Sequence, residues 1–404
     1  MKKPVLPKGG RAAAFAPCFA LLLITAVFAL QVNTIPLPPP YQTPSVNNGP
    51  RVVSPPAGAS LHLPPGFHIE VFAEGFEAPR FMLLGPNNEI LLADSAGGFF
   101  GGRGAVYVLN GKERRKIIEG LDRPYGLALW NGYLYVAETT SLKRYQYDSK
   151  AMKVTGKGEE IVPMHQFGSG HWTRTVLFDR QGKKMYLTIG SASNVDSGED
   201  PRRAAINRYN PDGSGHEIFA SGMRNVIGLR WYPGTDVLWA AVQERDLLGD
   251  DLVPDYFTHV QQSGFYGWPY AYIGPHEDPR HKGERPDLVK KTIVPDVLLG
   301  SHVAVLDFIF YTGQQFPKQY QGGAFLAFHG SWNRSKRTGY SVAFVPFQDG
   351  KPSGGPQDFL TGWMLSPNRR EVWGRPVGLL QLPDGSLLVS DDGGNKIWHI
   401  TYKG

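Results

Sequence analysis

A weak repeat of about fifty residues constrains this chain more than any other feature. Its unit is a basic strand head, an apolar strand, a turn and a second apolar strand. Pro79-Arg80-Phe81 precedes Glu89–Asp94, and Arg123-Pro124-Tyr125-Gly126-Leu127 precedes Tyr133–Glu138. Arg174 precedes Met185–Gly190, Arg224-Asn225-Val226-Ile227-Gly228-Leu229 precedes Val237–Val242, and Arg375-Pro376-Val377-Gly378-Leu379 precedes Ser386–Asp391. The arginines are 43, 51, 50 and 151 residues apart, which is the period of a four-stranded propeller blade with at least one further blade in the last gap. His302-Val303-Ala304-Val305-Leu306, followed by Gly323–Phe328, is the best strand head in that gap. The chain therefore reads as all-β, a six-bladed β-propeller of four-stranded antiparallel blades over residues 66–404, although seven blades also satisfy the arithmetic. The alternating stretch Phe67–Phe72 can pair beside Lys396–Thr401 and close the ring without an exposed seam.

Composition agrees with a turn-rich β protein: 49 Gly, 33 Pro and 12% aromatic residues, with no long amphipathic helical pattern. The formal charge of +6 includes Lys2, Lys3, Lys8 and Arg11 near the N-terminus, so about +2 remains on the rest, and no Lys/Arg run suggests a nucleic-acid partner. The basic start leads into an apolar run from Ala12 to about Val32. Residues 1–32 thus read as an export signal or a membrane anchor, which makes the protein periplasmic or extracellular. The only cysteine, Cys18, lies inside that run, so the remainder has neither disulfide nor thiolate chemistry. Residues 33–65, Pro-rich from Pro36 to Pro65, read as an extended linker.

Equivalent strand heads of a propeller meet around one mouth. Arg80, Arg123, Arg174, Arg224 and Arg375 would form a cationic ring there, costly unless an anion sits among them. A planar polycarboxylate held by guanidinium forks meets that need. Pairing with the chain's own Asp94, Glu138 and Asp391 is the alternative. His171, three residues before Arg174, belongs on the loop entering the mouth, as a base or as a structural residue. The stretch Gln243–Tyr256 clusters Glu244, Asp246, Asp250, Asp251 and Asp255 around a glycine, either a hard-cation loop suited to Ca²⁺ or a solvated acidic loop. The stretch Ser191–Asp200 supports the mouth or caps a loop. The aromatic turn Gly264–Tyr270 reads as packing, with Trp268 and the strand-head residue His302 as candidate substrate contacts. Lys336, in the basic loop Gly330–Arg337, either approaches a ligand or lies on the surface. No phosphate-binding glycine loop and no Gly-x-Ser-x-Gly elbow is present, which argues against nicotinamide binding and hydrolase chemistry.

Taken together, GHWTRT, MRNVIGLRW with QERDLLGDDLVPDY, FYGWPYAYIG, HGSWNRSKRTGY and GRPVGLLQLPDGSLLVSDD resemble the glucose/sorbosone dehydrogenases over residues 60–404, the sorbosone dehydrogenase-like branch above all. The resemblance implies six blades, export, and the cofactors pyrroloquinoline quinone (PQQ) and Ca²⁺. It implies a sugar or sugar-derived aldehyde as substrate and an external electron acceptor, a quinone or a cytochrome. By the same resemblance His171 is the general base, Arg224, Asn225 and Lys336 contact the cofactor, Arg375 lies over cofactor and substrate, and the QERDLLGDD loop holds the cation. It departs from the glucose-oxidising members in having Glu244-Arg245-Asp246-Leu247 where they have a Gly-Pro pair, and Val377 where they have a second arginine. A Ca²⁺-dependent propeller lactonase and a non-catalytic sugar- or protein-binding propeller are the competing readings.

Overall fold

The repeat corresponds to six sheets arranged as a ring. The structure, a computed structural model, describes residues 1–5, 35–96, 103–111 and 113–404. The apolar run of the expected leader, with Cys18, lies outside the described residues, among which no helix is long and apolar enough to cross a membrane. Blade 1 comprises Pro79–Leu84, Ile90–Asp94, Arg103–Asn110 and Glu113–Asp122, and blade 2 comprises Leu127–Trp130, Tyr133–Ala137, Ser141–Asp148 and Lys153–Pro163. Blade 3 is built from Val176–Phe178, Met185–Ile189, Ala205–Tyr209 and Glu217–Ser221, with Gly264–Phe265 added in parallel at its edge. Blade 4 has Asn225–Trp231, Leu238–Gln243, Pro254–His259 and, after a long insertion, Val297–Ser301. Blade 5 has Val305–Phe310, Ala324–Phe328, Ser341–Val345 and Gln357–Leu360.

Blade 6 joins the two ends of the domain. Pro376–Gln381, Leu387–Asp391 and Lys396–Tyr402 are completed by Phe67–Glu74, paired antiparallel from Phe67 opposite Tyr402 to Glu74 opposite Lys396. The expected closure is the one observed. Phe67 fixes it with edge contacts to Phe316, Phe359 and Tyr402 at ring separations of 4.7, 5.0 and 4.9 Å, each pair adding about 1 kcal/mol beyond burial.

The second strand of each blade is mostly apolar because it lies between neighbouring blades and is almost wholly buried. Ile90–Asp94, Met185–Ile189 and Ala324–Phe328 are buried at every residue, whereas the outer strand Lys153–Pro163 is largely exposed. Innermost strands touch in cyclic order and close the ring. Two of the repeat's glycines permit this approach. A Cβ on Gly126 would stand 2.7 Å from the Arg174 carbonyl, and one on Gly378 would stand 2.3 Å from the Arg80 carbonyl.

The channel is plugged. Phe81, Tyr125, Trp172, Ile227, Leu306 and Val377, one from each blade or its head, share one buried cluster, and the Tyr125 hydroxyl donates across it to the Leu306 carbonyl at 3.1 Å. The mouth is therefore a bowl with an apolar floor. Residues 35–65 differ from the expected spacer in that they lie against the propeller, in the same unit as the blades. Arg51–Val52, for example, pairs in parallel with Glu371–Val372.

Candidate active site at the mouth of the propeller

On the side built by blades 3 and 4, the loop entering blade 3 presents His171. Its Nδ1 lies 2.9 Å from the Ser191 carbonyl and 3.0 Å from the Ser191 hydroxyl, whose own hydrogen goes to the Ser193 carbonyl. Nδ1 must therefore carry the proton, which leaves the lone pair on Nε2. Burial, and then the Arg224 charge, push the imidazole down to about 3, so it is neutral at ordinary pH. Gly190 keeps this corner open: a Cβ there would fall 2.3 Å from Asn225 Oδ1 and 2.7 Å from the Cβ of His171. Asn225 donates from Nδ2 to Gln243, and its buried Oδ1 has no partner.

Asn194 is the hub of this side, and nothing in the sequence pattern singles it out within the Ser191–Asp200 stretch. Its carbonyl accepts from Arg224 Nε and Trp268 Nε1, its Oδ1 accepts from Arg224 and from the Asp246 amide, and its Nδ2 donates to the Asp246 carbonyl. Arg224 also donates to the Glu244 carbonyl and the Asp246 carboxylate, so its donors are directed mainly into the frame. His302 donates from Nδ1 to Asp246 at 3.2 Å and from Nε2 to the Gly249 carbonyl at 3.0 Å. With both ring nitrogens donating it is an imidazolium; burial opposes the charge, but Asp246 holds its pKa above the ordinary value.

Three of the expected contact residues point into the frame. His302 and Trp268, taken as substrate contacts, direct their polar atoms into the frame rather than the bowl. Arg174, grouped with the cofactor-binding arginines, is fully buried and donates to the carbonyls of Phe167, His171 and Thr173. Burial and the neighbouring Arg203 bring its pKa down to about 9. It holds the loop that presents His171.

The opposite side is built by blades 5, 6, 1 and 2. Arg375 donates to the His329 carbonyl, and the His329 Nε2–H donates to Asp392 Oδ1 at 2.9 Å. Asp392 also pairs with Arg80. Arg80 and Arg123 both lie over the Trp172 ring, 4.8 and 5.4 Å from its centre. Each has a buried Nε without a hydrogen-bond partner; that of Arg123 stands 3.5 Å from Asp122. Burial and Arg375 lower His329 to about 4, while His329 and Arg80 overcome burial to hold Asp392 far below the usual carboxylate range. His329 and Asp392 were not among the expected residues. The acids offered as arginine partners do other work: Asp94 accepts from the amides of Glu77 and Ala78, Glu138 from that of Asp122, and Asp391 from those of Arg375 and Gly394.

The four acids proposed for Ca²⁺ do not converge. Asp250 and Asp251 engage Ser335 and Arg334, Asp246 faces Arg224 and His302, and Glu244 is buried with one carboxylate oxygen unpartnered and its pKa pushed up to about 8 by burial. Among the described residues no group of three or more His, Cys, Asp or Glu could hold a metal ion. As a carboxylate cage for Ca²⁺ this loop does not fit. Lys336 is exposed, whereas the adjacent Arg337 is buried. A polyanion does fit, because the two cations Arg80 and Arg375 share one buried acid, Asp392, the buried Arg80 Nε has no partner, and Arg123 lies beside Arg80 over the Trp172 ring.

A family model described as TrAA12-like matches residues 61–253 and 285–403. The unmatched stretch covers the third strand of blade 4 and much of the insertion after it. An uncharacterized protein of Borreliella burgdorferi is 27% identical over 362 residues, 85% of this chain and 92% of that one. A pyrroloquinoline quinone-dependent pyranose dehydrogenase of Coprinopsis cinerea is 24% identical over 83% of this chain, which spans about half, 54%, of that protein's length. In fold, the chain is similar to the Trichoderma reesei carbohydrate-active enzyme of family AA12, with a TM-score of 0.72 at 20% identity over 88% of this chain and 100% of that one. It is also similar to the PQQ-bound aldose sugar dehydrogenase of Streptomyces coelicolor, with a TM-score of 0.58 at 18% identity over 87% and 100%.

Proposed function

The chain belongs to the TrAA12-like family, and from that premise we propose that it is a quinoprotein oxidoreductase, a PQQ-dependent dehydrogenase of a sugar or sugar-derived aldehyde. The observation that carries the reading is the pairing, at one mouth, of a neutral histidine open at Nε2 with a wall where the cations Arg80 and Arg375 share a single buried acid, Asp392. When bound, PQQ supplies a two-electron oxidant for a substrate carbon bearing hydrogen and hydroxyl. His171 Nε2 takes the hydroxyl proton as the carbon–oxygen double bond forms, and Nδ1–H on Ser191 keeps the ring in the required tautomer. Arg80, Arg123 and Arg375 would hold the cofactor's carboxylates and offset negative charge, while the apolar floor would keep water from beneath the site.

The same reading takes the protein as exported through its leader, with a small-molecule substrate and an external acceptor, a quinone or a cytochrome. The test is reconstitution with PQQ, with and without Ca²⁺, followed by dye reduction over a panel of aldoses and sugar aldehydes. Cofactor binding without dye reduction on any substrate would sink the enzyme reading in favour of a binding propeller. Lactone hydrolysis that needs Ca²⁺ and no PQQ would replace it with a lactonase.

A further inference from the structure

The segment between the leader and blade 6 crosses the two loops that form the blade 4 and blade 5 part of the rim. The Tyr41 amide donates to the Leu248 carbonyl at 2.8 Å, and the Asp250 amide donates to Thr43 Oγ1 at 2.7 Å. Gly249 passes so close to the segment that a Cβ would meet the Thr43 carbonyl at 2.7 Å. Asn48 then engages the second loop. Its amide donates to the Trp332 carbonyl at 2.7 Å, its Nδ2 to the carbonyls of Arg334 and Ser335 at 3.0 Å each, and its Oδ1 accepts from Arg337 at 2.7 Å. Asn333, buried between the loops, donates to the Val46 carbonyl and accepts from the Leu247 amide.

These bonds account for backbone groups that the loops do not satisfy themselves. Leu247 has a φ of 71° and its side chain is exposed, so neither conformational preference nor burial fixes this turn. Beyond the contacts, both loops lead directly into the bowl. Gly249 accepts from His302, Asp246 pairs with His302 and Arg224, and the second loop begins at His329 and Gly330 beside Arg375. Downstream the segment pairs with Glu371–Val372 and, at His62, with Thr361, roofing a cavity of about 690 Å³ in its last part. Between Tyr41 and Asn48 it is held at the rim by discrete hydrogen bonds, while Ile35 and Leu37 before this stretch and Val53, Ala59, Leu61 and Leu63 after it pack against the core.

We infer that residues 41–53 are a positioning strap: through Thr43 and Asn48 they set the loops 244–251 and 331–337, and so fix the blade 4 wall beside Arg224 and the blade 5 wall beside Arg375, the latter at the cofactor site. The cofactor part of this inference rests on the quinoprotein reading. The test uses the full chain carrying Asn48→Ala, compared by hydrogen exchange without ligand and by PQQ titration. The expected result is exchange about tenfold faster in 244–251 and 331–337, unchanged exchange in the inner strands, and PQQ bound about tenfold more weakly, as the loss of the three Asn48 side-chain hydrogen bonds implies. Thr43→Val, nearly equal in volume, keeps the question answerable if Asn48→Ala folds poorly, and should speed exchange at the Asp250 amide. Unchanged loop exchange, or a uniform increase across all six blades, would overturn the strap as a local positioner. Loosened loops with undiminished PQQ affinity would overturn its role at the site. If the unaltered chain binds no PQQ, the quinoprotein reading fails by itself, and the exchange comparison still decides whether the strap sets the loops.

Discussion

The two sides of the mouth use the same residue types in opposite ways. On the side of blades 3 and 4, Arg174 and Arg224 direct their donors to carbonyls, Asn194 and Asp246, and the histidine beside them keeps an open nitrogen. On the side of blades 5, 6, 1 and 2, the histidine is tied to Asp392, and Arg80 and Arg375 share that one acid, with a buried Arg80 Nε left unpartnered. Arginines whose donors and charge are taken up within their own frame are a scaffold, whereas cations that outnumber the acid between them are a receptor for charge. The first side is arranged to move a proton and the second to hold an anion.

The sharpest way to break this division is His171→Ala. If proton transfer belongs to the blade 3 and 4 side, turnover with the reconstituted protein falls by on the order of 10²–10⁴-fold while PQQ affinity stays within about twofold. Steady-state assay and cofactor titration on one preparation separate the two effects. A variant that turns over near normally removes the base from this side.

On the opposite side Asp392→Asn carries the next largest effect. It removes the one acid that faces both Arg80 and Arg375, leaving buried cations without a countercharge, so the ligand-free protein should lose about 3 kcal/mol of stability. Denaturant midpoints measured with and without PQQ check it. The polyanion should recover part of the loss, and a midpoint unchanged by the substitution would mean that this side is not short of negative charge.

How far sequence alone could anticipate this contrast depends on the distance over which each feature is encoded. The arginine heads, the apolar second strands and the closing strand Phe67–Glu74 follow from local pattern and period, and the ring follows from them. The fate of each arginine does not. Arg80 pairs with Asp392 rather than Asp391 because Asp391 is already drawn inward by the amides of Arg375 and Gly394, a one-residue difference set by the turn after Leu387–Asp391. Arg174 carries the same repeat position as Arg224, yet the carbonyls of its own entering loop enclose it. Asn194 and Asn48 act through contacts across 52 and 287 residues of chain, which no spacing rule reports.

The two histidines give a smaller but cleaner comparison by titration. His171 lies at about 3, below the ordinary histidine value, so its base form is present at every pH above that and is lost only in strong acid. His302, paired with Asp246, is shifted upward and keeps its proton above the ordinary value. Nitrogen-resolved NMR of the ligand-free chain should show His171 as the neutral Nδ1–H tautomer from pH 8 down to about 4, and His302 doubly protonated at pH 6.5. An imidazole at position 171 that titrates near 6.5 would place it outside the buried pocket and weaken its claim as base.

The smallest expected effect concerns Lys336, the position that resemblance assigns to the cofactor. Its side chain is exposed, while the neighbouring Arg337 is buried and bonded to Asn48 and Tyr340. If the anion-holding side is complete with Arg80, Arg123 and Arg375, Lys336→Ala changes PQQ affinity by less than about twofold, the range of a surface substitution. A loss of tenfold or more in the same titration would show that the Gly330–Arg337 loop turns inward on binding and brings a fourth cation. The division between a proton side and a charge side would then describe only the ligand-free bowl.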